Sequence, residues 1–418
     1  MIITDIKLKV PVMSENCLQE VAVFEKNEKW KQCTSRLEPL PARIKDIRSE
    51  FERDITRLLH CTAYRRLKHK TQVFFAPSND HICTRIEHVN YVASISHTIG
   101  KYLGLNTELI NAIALGHDLG HAPFGHLGEK IIRKIVKEEL NLTFWHEKNS
   151  LYFIDKIETL EDHNGRHRNL NLTYGVRDGI ICHCGEIDEN AIFPRSEIID
   201  LETINKPNEY SPYSWEACVV KISDKIAYLG KDIEDAITLG ILSHNELKEL
   251  SGIIREIRGR DLNEINNTTV IHSLSIDLCE NSTIKNGIKL SDSNFKAMNT
   301  LKKFNYEYIY LSGRLRYYQN YAELIIESIY NLLKEFYDKE NCINILKEQA
   351  LAYPLLISNF IEWLLKFSII PEEDYEQFNN CRIYDLSVEK DYSKAIIDFI
   401  AGMTDLFAKR AFEEIVSF

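Results

Sequence analysis

The stretch Ala114-Leu-Gly-His-Asp-Leu-Gly-His-Ala-Pro-Phe-Gly-His-Leu-Gly-Glu129 brings three histidines, one aspartate and one glutamate into a single short segment. The preceding residues are mostly apolar and predict a buried helix, with Thr107 as its cap and an acidic residue in its first turn. This helix delivers His117 and Asp118 into the interior. Because a buried charge is costly unless it is paired or bound to a metal, the two side chains require an internal partner.

The glycines and the proline of this stretch end the first helix and turn the chain back. The turn allows His121, His126 and Glu129 to approach one point. The i, i+3 spacing places His126 and Glu129 on one face if a second helix begins near Phe124, and we expect that helix to continue to about Leu140. The alternative is a polar helix–turn–helix with solvent-facing histidines. The apolar residues that precede His117 disfavour this alternative.

Composition restricts the class of protein. The chain has 418 residues, 44% hydrophobic and 27% charged, as in soluble globular proteins of one or two domains. Its formal net charge of -11 argues against a general nucleic-acid coat protein. Ten cysteines without a CxxC pair predict reduced thiols and a cytoplasmic location, since Cys182-His183-Cys184 is too tight for a structural zinc knuckle. We expect no secretion signal, and the run Leu351–Ile370 is too polar to span a membrane.

Apolar residues at helical spacing predict a further helix, capped by Thr84. His88 lies on its apolar face, one turn from the start, and Arg85 lies three residues earlier on nearly the same face. A single buried histidine is most often a hydrogen-bonded core residue. The interpretation as a metal ligand gains weight because His117 and Asp118 follow in the next predicted helix.

A third helix, from Trp215 to about Leu242, has an apolar face interrupted by acidic residues. Asp224, Tyr228 and Asp232 follow at i, i+4 and i+8 and form one stripe. An inward carboxylate needs a partner, which a metal would provide for Asp224 and a ligand hydroxyl for Tyr228 and Asp232. The alternative is an amphipathic surface helix with solvated acids.

Three other segments allow two interpretations each. The basic segment Tyr64–Phe75 is either a solvated helix end or a polyanion pocket in which Gln72 bonds a sugar or base. His146 opens a helix that continues to Ile157, where it is either a cap or a site residue. The aromatic stretch Phe304–Leu311 fits a core helix better than a subunit contact.

Strand signals are sparse, so we predict an all-α protein with at most a small β-ribbon, near residues 260–290. We expect an exposed loop at 161–171 and one final amphipathic helix at 395–418. The predicted regions are an N-terminal arm (1–50), a helical core with the reactive residues (51–245) and a C-terminal helical region packed on that core (246–418).

The inward polar residues form a mixed nitrogen and oxygen donor set: His88, His117, Asp118 and Asp224. Such a set suits Mn²⁺, Fe²⁺, Co²⁺, Ni²⁺ or Zn²⁺, while Mg²⁺ matches imidazole less well. Four ligands leave open positions on an octahedral ion for water and a substrate oxygen. His126 with Glu129 forms a base–orienter pair in this interpretation.

These motifs resemble the HD phosphohydrolase superfamily, and in particular its deoxyguanosine triphosphate triphosphohydrolase branch. The matching segments are Tyr64–Phe74, Arg85–His88, Gly116–Glu129, Phe144–His146, Asn171–Tyr174, Ser223–Tyr228 with Asp232–Asp235, and Ile400–Asp405. The HD dipeptide alone is a weak signal, but seven segments in order are specific.

The resemblance implies a helical HD core and a metal-dependent enzyme, with Mn²⁺ as the favoured ion. It also implies cleavage of a dNTP, with dGTP as the expected substrate, between the 5′ oxygen and the α-phosphorus, releasing deoxynucleoside and triphosphate. Members of this family form homo-oligomers, as tetramers or hexamers built from dimers. A dNTP activator or a single-stranded DNA effector is a further implied partner, and a membrane is not.

Transferred by position, the resemblance assigns the metal to His88, His117, Asp118 and Asp224. It assigns the chemical step to His126 oriented by Glu129, with His121 and His146 beside the phosphates. The substrate-binding residues would be Gln72 and Asp232 at the 3′ hydroxyl, Tyr228 under the sugar, and Arg85 and Lys225 at the phosphates.

Three positions depart from the family pattern: Lys231, Leu406 and Glu147. None belongs to the predicted metal set, so the departures concern base preference and regulation. Two other functions remain open on the residues alone. One is an HD phosphodiesterase or nucleotidase acting on other phosphoesters, and the other is a non-catalytic sensor of nucleotides or single-stranded nucleic acid.

Overall fold

The computed structural model describes residues 18–40, 45–75, 79, 81–162, 164–184, 189–258, 267–369 and 382–417, and these are predominantly helical, which confirms the all-α prediction. The α-helices are α1 (Trp30–Cys33), α2 (Glu50–His60), α3 (Thr62–Arg66), α4 (Arg85–Leu103), α5 (Thr107–Gly116), α6 (Gly125–Leu140), α7 (His146–Tyr152), α8 (Tyr174–Ile181), α9 (Trp215–Thr238), α10 (His244–Arg258), α11 (Asn267–Asn281), α12 (Asp292–Phe304), α13 (Gly313–Glu335), α14 (Cys342–Gln349), α15 (Pro354–Phe367), α16 (Glu389–Ala401) and α17 (Asp405–Val416). The strands are β1 (Thr159–Glu161), β2 (His167–Asn169), β3 (Ala191–Ile192), β4 (Ile288–Lys289), β5 (Ser368–Ile369) and β6 (Tyr384–Asp385).

Helix α5 lies at the centre of the fold, packed by α2, α4, α8 and α9. Its apolar residues are buried, except for the half-buried Leu115, as the sequence predicts for this segment. The expected cap is wrong by one position. Asn106 caps the helix, because its side-chain oxygen accepts the N–H groups of Glu108 at 3.0 Å and Leu109 at 3.3 Å, while Thr107 is the first helical residue.

Helix α4 begins as predicted. Thr84 and Glu87 form a capping box in which each side chain bonds the backbone of the other. The helix ends at Gly104, whose φ of 79° is the left-handed conformation that glycine tolerates best. The start and length of α4 therefore follow from local sequence, and they place the buried His88 one turn from the start of the helix.

Within the part of the chain that the structure describes, the strands form three two-stranded pairs. Strands β1 and β2 form an antiparallel hairpin, so the expected loop at 161–171 is wrong in part. The ribbon expected near 260–290 is also wrong in part. Among the described residues of that range, β4 is the one strand, next to an isolated antiparallel bridge between Thr283 and Gly287. The partner of β4 is β3, about a hundred residues earlier in the chain, and no local pattern predicts this long-range pairing. The residues between 267 and 281 are helical instead.

The single helix predicted at 395–418 is two helices, α16 and α17, separated at Gly402–Thr404. Thr404 caps α17, since its hydroxyl accepts the N–H of Phe407 at 3.1 Å. The break turns the buried Asp405 side chain towards the core. Helices α16 and α17 pack on α13, and α6 also contacts α13 and α16.

The part of the predicted N-terminal arm that the structure describes packs on its own chain. Leu18, Ala22 and Val23 are buried, and the Val23 N–H donates to the buried Glu216 carboxylate at 2.8 Å. In the stretch 304–311, Phe304 and Ile309 are buried, which confirms the core interpretation for those two residues. Among the described residues, none of the helices is both long enough and apolar enough to cross a bilayer.

Candidate metal-dependent active site

His88 and Asp224 meet where α4 packs against α9. Their side chains come from the buried or half-buried faces that helical spacing predicts. The His88 Nε2 lies 2.9 Å from Asp224 Oδ1. The acidic stripe on α9 therefore faces the interior at the position of Asp224. The alternative of a surface helix with solvated acids is wrong for this residue.

His117 follows the last residue of α5 and is fully buried. Its Nδ1 lies 2.7 Å from the carbonyl oxygen of Ala114, so Nδ1 carries the proton, because a carbonyl only accepts. The other nitrogen, Nε2, then presents a lone pair. It lies 3.9 Å from Asp224 Oδ1 and has no hydrogen-bond partner of its own. A buried, correctly tautomerised and unpartnered imidazole nitrogen is what a metal ligand needs.

Asp118 connects the predicted ligands to their neighbours. Its Oδ2 accepts a hydrogen bond from Arg85 Nη1 at 2.9 Å, and its Oδ1 lies 3.5 Å from His117 Nε2 and 3.2 Å from His121 Nε2. Burial alone would raise the pKa of Asp118, but the two imidazoles and the guanidinium hold it well below its usual value. The carboxylate is thus ready to bind a cation.

The residues present fit a divalent transition metal. Ligand atoms of His88, His117 and Asp224 lie within 4.8 Å of one another, and so do those of His117, Asp118 and His183. Imidazole and carboxylate donors suit such ions. The structure brings the four predicted ligands together, while their role as ligands stays a prediction.

His183 and Glu147 also lie in this site, and sequence reasoning did not assign them there. The ring of His183 lies edge-on to that of His117, with centroids 4.9 Å apart, and its Nδ1 lies 2.6 Å from the carbonyl of Ile180. Glu147 is 2% exposed, and its Oε1 has no hydrogen-bond partner. The Cys-His-Cys tripeptide and the unusual Glu147 were the signals available for these two residues.

A second group of side chains borders the first: His121, His126, Glu129 and His146. The rings of His121 and His146 stack, with centroids 4.0 Å apart. The expected pairing of Glu129 with His126 is present, but Glu129 lies closer to His146. Glu129 Oε2 lies 3.0 Å from His146 Nδ1 but 3.7 Å from His126 Nδ1, because His146 is enclosed at the start of α7 while 65% of the His126 side chain is exposed. Glu129 thus orients His146 first and contacts His126 more loosely.

Within this second group, the electrostatic environment places a positively charged side chain next to a negatively charged one. Burial lowers the pKa of His146, but the carboxylates of Glu147 and Glu129 outweigh it and raise the pKa to about 10. Burial raises the pKa of Glu129, yet His146 and His126 bring it well below its usual range. At neutral pH His146 is therefore positively charged and Glu129 negatively charged.

The turn between α5 and α6 sets the positions of these histidines. Gly120 lies against α7 so closely that a Cβ atom there would be 2.1 Å from the Ser150 nitrogen. Phe124 has a φ of 65°, which is uncommon for a residue with a side chain, and its N–H donates to Asp405 Oδ1 at 2.8 Å. Lys70 completes the support, donating from its buried ammonium to the carbonyls of His121 and Ala401.

The loop before α4 supplies two of the predicted substrate residues. Gln72 is 4% exposed, and its side-chain oxygen Oε1 is buried without a hydrogen-bond partner. Arg85 is buried and donates to Asp118 and, at 3.1 Å, to the backbone oxygen of Gln72. The polyanion-pocket interpretation of this segment and the phosphate contact of Arg85 stay predictions.

The remaining substrate residues lie on α9. Lys225 is buried beside Asp224 in sequence, Tyr228 is half-buried and Asp232 is 2% exposed. The sequence did not identify Tyr310, whose hydroxyl donates to Asp232 Oδ2 at 2.5 Å. The other oxygen, Asp232 Oδ1, is buried and has no partner. Burial raises the pKa of Asp232 to about 7, against the hydrogen bond from Tyr310, which lowers it.

Comparison with known proteins agrees with this geometry. The sequence model of the HD domain matches residues 85–229, which include His88, His117, Asp118 and Asp224. A deoxyguanosinetriphosphate triphosphohydrolase-like protein of Caldanaerobacter subterraneus subsp. tengcongensis is 33% identical over 88% of this chain and 86% of its own.

Proteins of the same name in two other organisms are also similar. That of Clostridium tetani is 35% identical over 68% of this chain and 73% of its own length. That of Rickettsia bellii is 30% identical over 88% of this chain and 92% of its own. With the helical fold and the clustered histidines and aspartates, these matches show that the chain belongs to the HD-domain family of deoxyguanosinetriphosphate triphosphohydrolase-like proteins.

Proposed function

We propose that this protein is a metal-dependent triphosphohydrolase that converts a dNTP, with dGTP as the expected substrate, into a deoxynucleoside and triphosphate. One observation carries the proposal. Two buried acceptors without donors, Gln72 Oε1 and Asp232 Oδ1, accompany the clustered imidazoles and carboxylates. A buried acceptor without a donor is costly, and the hydroxyl of a bound sugar supplies a donor.

The metal would be held by His88, His117, Asp118 and Asp224. When bound, it supplies Lewis-acid chemistry at a phosphoryl group, and Mn²⁺ is the ion we expect. Arg85 already bonds Asp118 and fixes the orientation of that carboxylate before substrate arrives. Preorganisation of this kind lowers the cost of forming the site during the reaction.

The second group of histidines would serve the triphosphate. His146 is cationic at neutral pH because Glu147 and Glu129 raise its pKa, so it attracts phosphate oxygens. His126 is exposed and stands at 5.2 Å from His121, ring centre to ring centre. We assign to His126 the proton delivered to the departing 5′ oxygen, with Glu129 as its orienting carboxylate.

The remaining residues would select the sugar and hold the phosphates. Gln72 and Asp232 would accept or share the 3′ hydroxyl, and Tyr228 would lie under the ring where a 2′ hydroxyl would clash. Lys225, buried next to Asp224 on α9, would contact the phosphates together with Arg85.

The test is a product analysis. The purified protein is incubated with each of the four dNTPs and with the matching ribonucleotides in the presence of Mn²⁺, and the products are separated by anion exchange. We expect deoxynucleoside and intact triphosphate from at least one dNTP. Diphosphate or orthophosphate as the first product, or equal turnover of ribonucleotides, would reject the proposal.

The assembly and its regulation form part of the same proposal. A dimer-based tetramer or hexamer is expected from the family resemblance, with a second dNTP or single-stranded DNA as effector. Native mass spectrometry with and without each nucleotide tests it, and a monomer under all these conditions would reject the assembly.

A further inference from the structure

The second group of histidines has the composition of a zinc site in its own right. His121, His126, Glu129 and His146 each offer one ligand atom, and these atoms lie within 4.8 Å of one another. Three imidazoles and one carboxylate are donors that zinc prefers in tetrahedral sites. These residues are distinct from His88, His117, Asp118 and Asp224, which the proposed catalytic ion would use.

The distances match a tetrahedral ion closely along two edges. With metal–ligand bonds of about 2.0 to 2.1 Å, ligand atoms of a tetrahedral zinc site lie about 3.3 Å apart. Glu129 Oε2 lies 3.0 Å from His146 Nδ1 and 3.7 Å from His126 Nδ1. The His126 side chain is 65% exposed, so it can rotate to shorten the longer edge without repacking the core.

An unpartnered atom in the same group independently indicates a ligand. His121 is 1% exposed, and its Nδ1 is buried without a hydrogen-bond partner. Its other nitrogen lies 3.2 Å from Asp118 Oδ1, which orients the ring from behind. A ligating histidine supported by a carboxylate through its second nitrogen is the usual arrangement in metal sites.

The surrounding charges also favour a cation. Glu147 lies 3.4 Å from His146 Nδ1, is buried, and has one oxygen without a partner. Arg133 opposes this effect by pairing with Glu129 Oε1 at 2.5 Å, but it binds the oxygen away from the histidines and its side chain is 54% exposed. The opposing charge is therefore largely screened by solvent.

We propose that His121, His126, Glu129 and His146 form a second metal site, separate from the predicted catalytic ion, in which Zn²⁺ binds by displacing the proton that His146 otherwise carries. Zinc in this site occupies the nitrogen of His126, so excess zinc inhibits the protein, a consequence that rests on the proposed function. Zinc binding itself does not rest on it, because the ligands are defined by position and donor type alone.

The experiment counts zinc ions on the full-length protein. Metal-free protein is dialysed against Zn²⁺, and zinc per chain is measured by mass spectrometry of the acid digest. We expect about two zinc ions per chain in the wild type and about one in His126→Ala and in His117→Ala, each of which removes a ligand from a different site. The exposed His60, at the end of α2, provides the control variant His60→Ala, which should keep both.

A conservative second variant separates ligand loss from a folding defect. Glu129→Gln keeps the shape of the side chain and should weaken the second zinc by about tenfold or more in a calorimetric titration. Unchanged circular dichroism confirms that each variant is folded. One zinc ion per wild-type chain, or two in His126→Ala, overturns the inference. Two zinc ions per wild-type chain would uphold the inference, and if the same protein without zinc formed no triphosphate from any dNTP in Mn²⁺, only the proposed function would be rejected.

Discussion

His126 combines high exposure with close neighbours in the candidate site. Its side chain is 65% exposed and its Nδ1 lies 3.7 Å from Glu129 Oε2, so its removal leaves no buried cavity. We predict that His126→Ala lowers kcat by about 100- to 10,000-fold, the usual contribution of a general acid, with little change in the melting temperature. Steady-state assays of triphosphate release combined with thermal unfolding measure both quantities.

The His60→Ala variant described above controls for loss of a histidine as such. If His126→Ala retains wild-type turnover, the proton donor is another group. If it loses activity together with its melting transition, the effect is structural and the assignment fails as well.

Tyr310 holds one oxygen of Asp232 and leaves the other for a ligand. Tyr310→Phe removes the hydroxyl and frees the Asp232 carboxylate to rotate. We expect the binding free energy of the dNTP to weaken by about 1.5 kcal/mol or more, which is roughly tenfold in affinity. We predict that KM for the preferred dNTP rises by about tenfold while kcat changes little. Tyr306→Phe, whose parent residue is 57% exposed in the same helical turn, is the matched control. An unchanged KM in Tyr310→Phe would show that Asp232 is positioned without it.

The buried Asp232 predicts a pH dependence of stability. Burial raises its pKa from 3.8 to about 7 in the folded protein. Between these values the unfolded chain releases the proton and the folded chain keeps it, so folded stability falls as pH rises towards 7. Asp232→Asn removes this pH-dependent loss of stability, because an amide does not titrate. We predict that the melting temperature of the variant exceeds that of the wild type by roughly 2–6 °C above pH 7 and by less near pH 4.

Thermal unfolding across pH 4 to 8 measures that difference, with the exposed Asp292→Asn as the control. A melting difference that stays constant with pH would mean that the titration of Asp232 does not contribute.

The residues that sequence alone could place are those whose position depends on one helix. His88 and Asp224 follow from helical spacing, and His117 with Asp118 follow from the end of an apolar helix. Tyr310 and His183 could not be placed, because they reach the site only through packing between segments far apart in the chain. His146 as the nearer neighbour of Glu129 was missed for the same reason, since local spacing indicates only His126.

At the scale of elements, the start of α17 supports two site loops. The Asp405 carboxylate accepts the N–H of Phe124 at 2.8 Å in the histidine turn and the N–H of Thr71 at 2.8 Å beside Gln72. Asp405→Ala leaves two buried donors without partners, which costs about 2–5 kcal/mol. We predict that this variant loses that much unfolding free energy in urea and most of its activity. Glu413→Ala, an exposed position on the same helix, should do neither.

Should Asp405→Ala lose stability but keep full activity, the two hydrogen bonds support the fold without shaping the site. The sequence did not show this support, because it predicted an uninterrupted helix through Asp405. The local sequence pattern predicts the apolar periodicity of both α16 and α17. The break between these helices depends instead on Thr404 and on the distant loops that Asp405 contacts.

At the scale of the whole molecule, the predicted ligand set joins α4, α5 and α9, helices that pack on one another in the fold. A metal that binds only the folded protein stabilises it by RT ln(1 + [L]/Kd), which is about 4 kcal/mol at a thousandfold excess over Kd. We predict that chelation lowers the melting temperature and that Mn²⁺ restores it. Mn²⁺ should give no such recovery in His117→Ala, and a wild-type melting temperature indifferent to chelator and Mn²⁺ would contradict the metal site.

The contacts of Asp405 join residues that are 281 and 334 positions apart along the chain. During synthesis, the histidine turn and the Gln72 loop emerge from the ribosome long before the residue that fixes them. A nascent chain therefore cannot form the two hydrogen bonds that hold both loops until α17 has been translated, and we expect the candidate site to be complete only on polypeptides that include this helix.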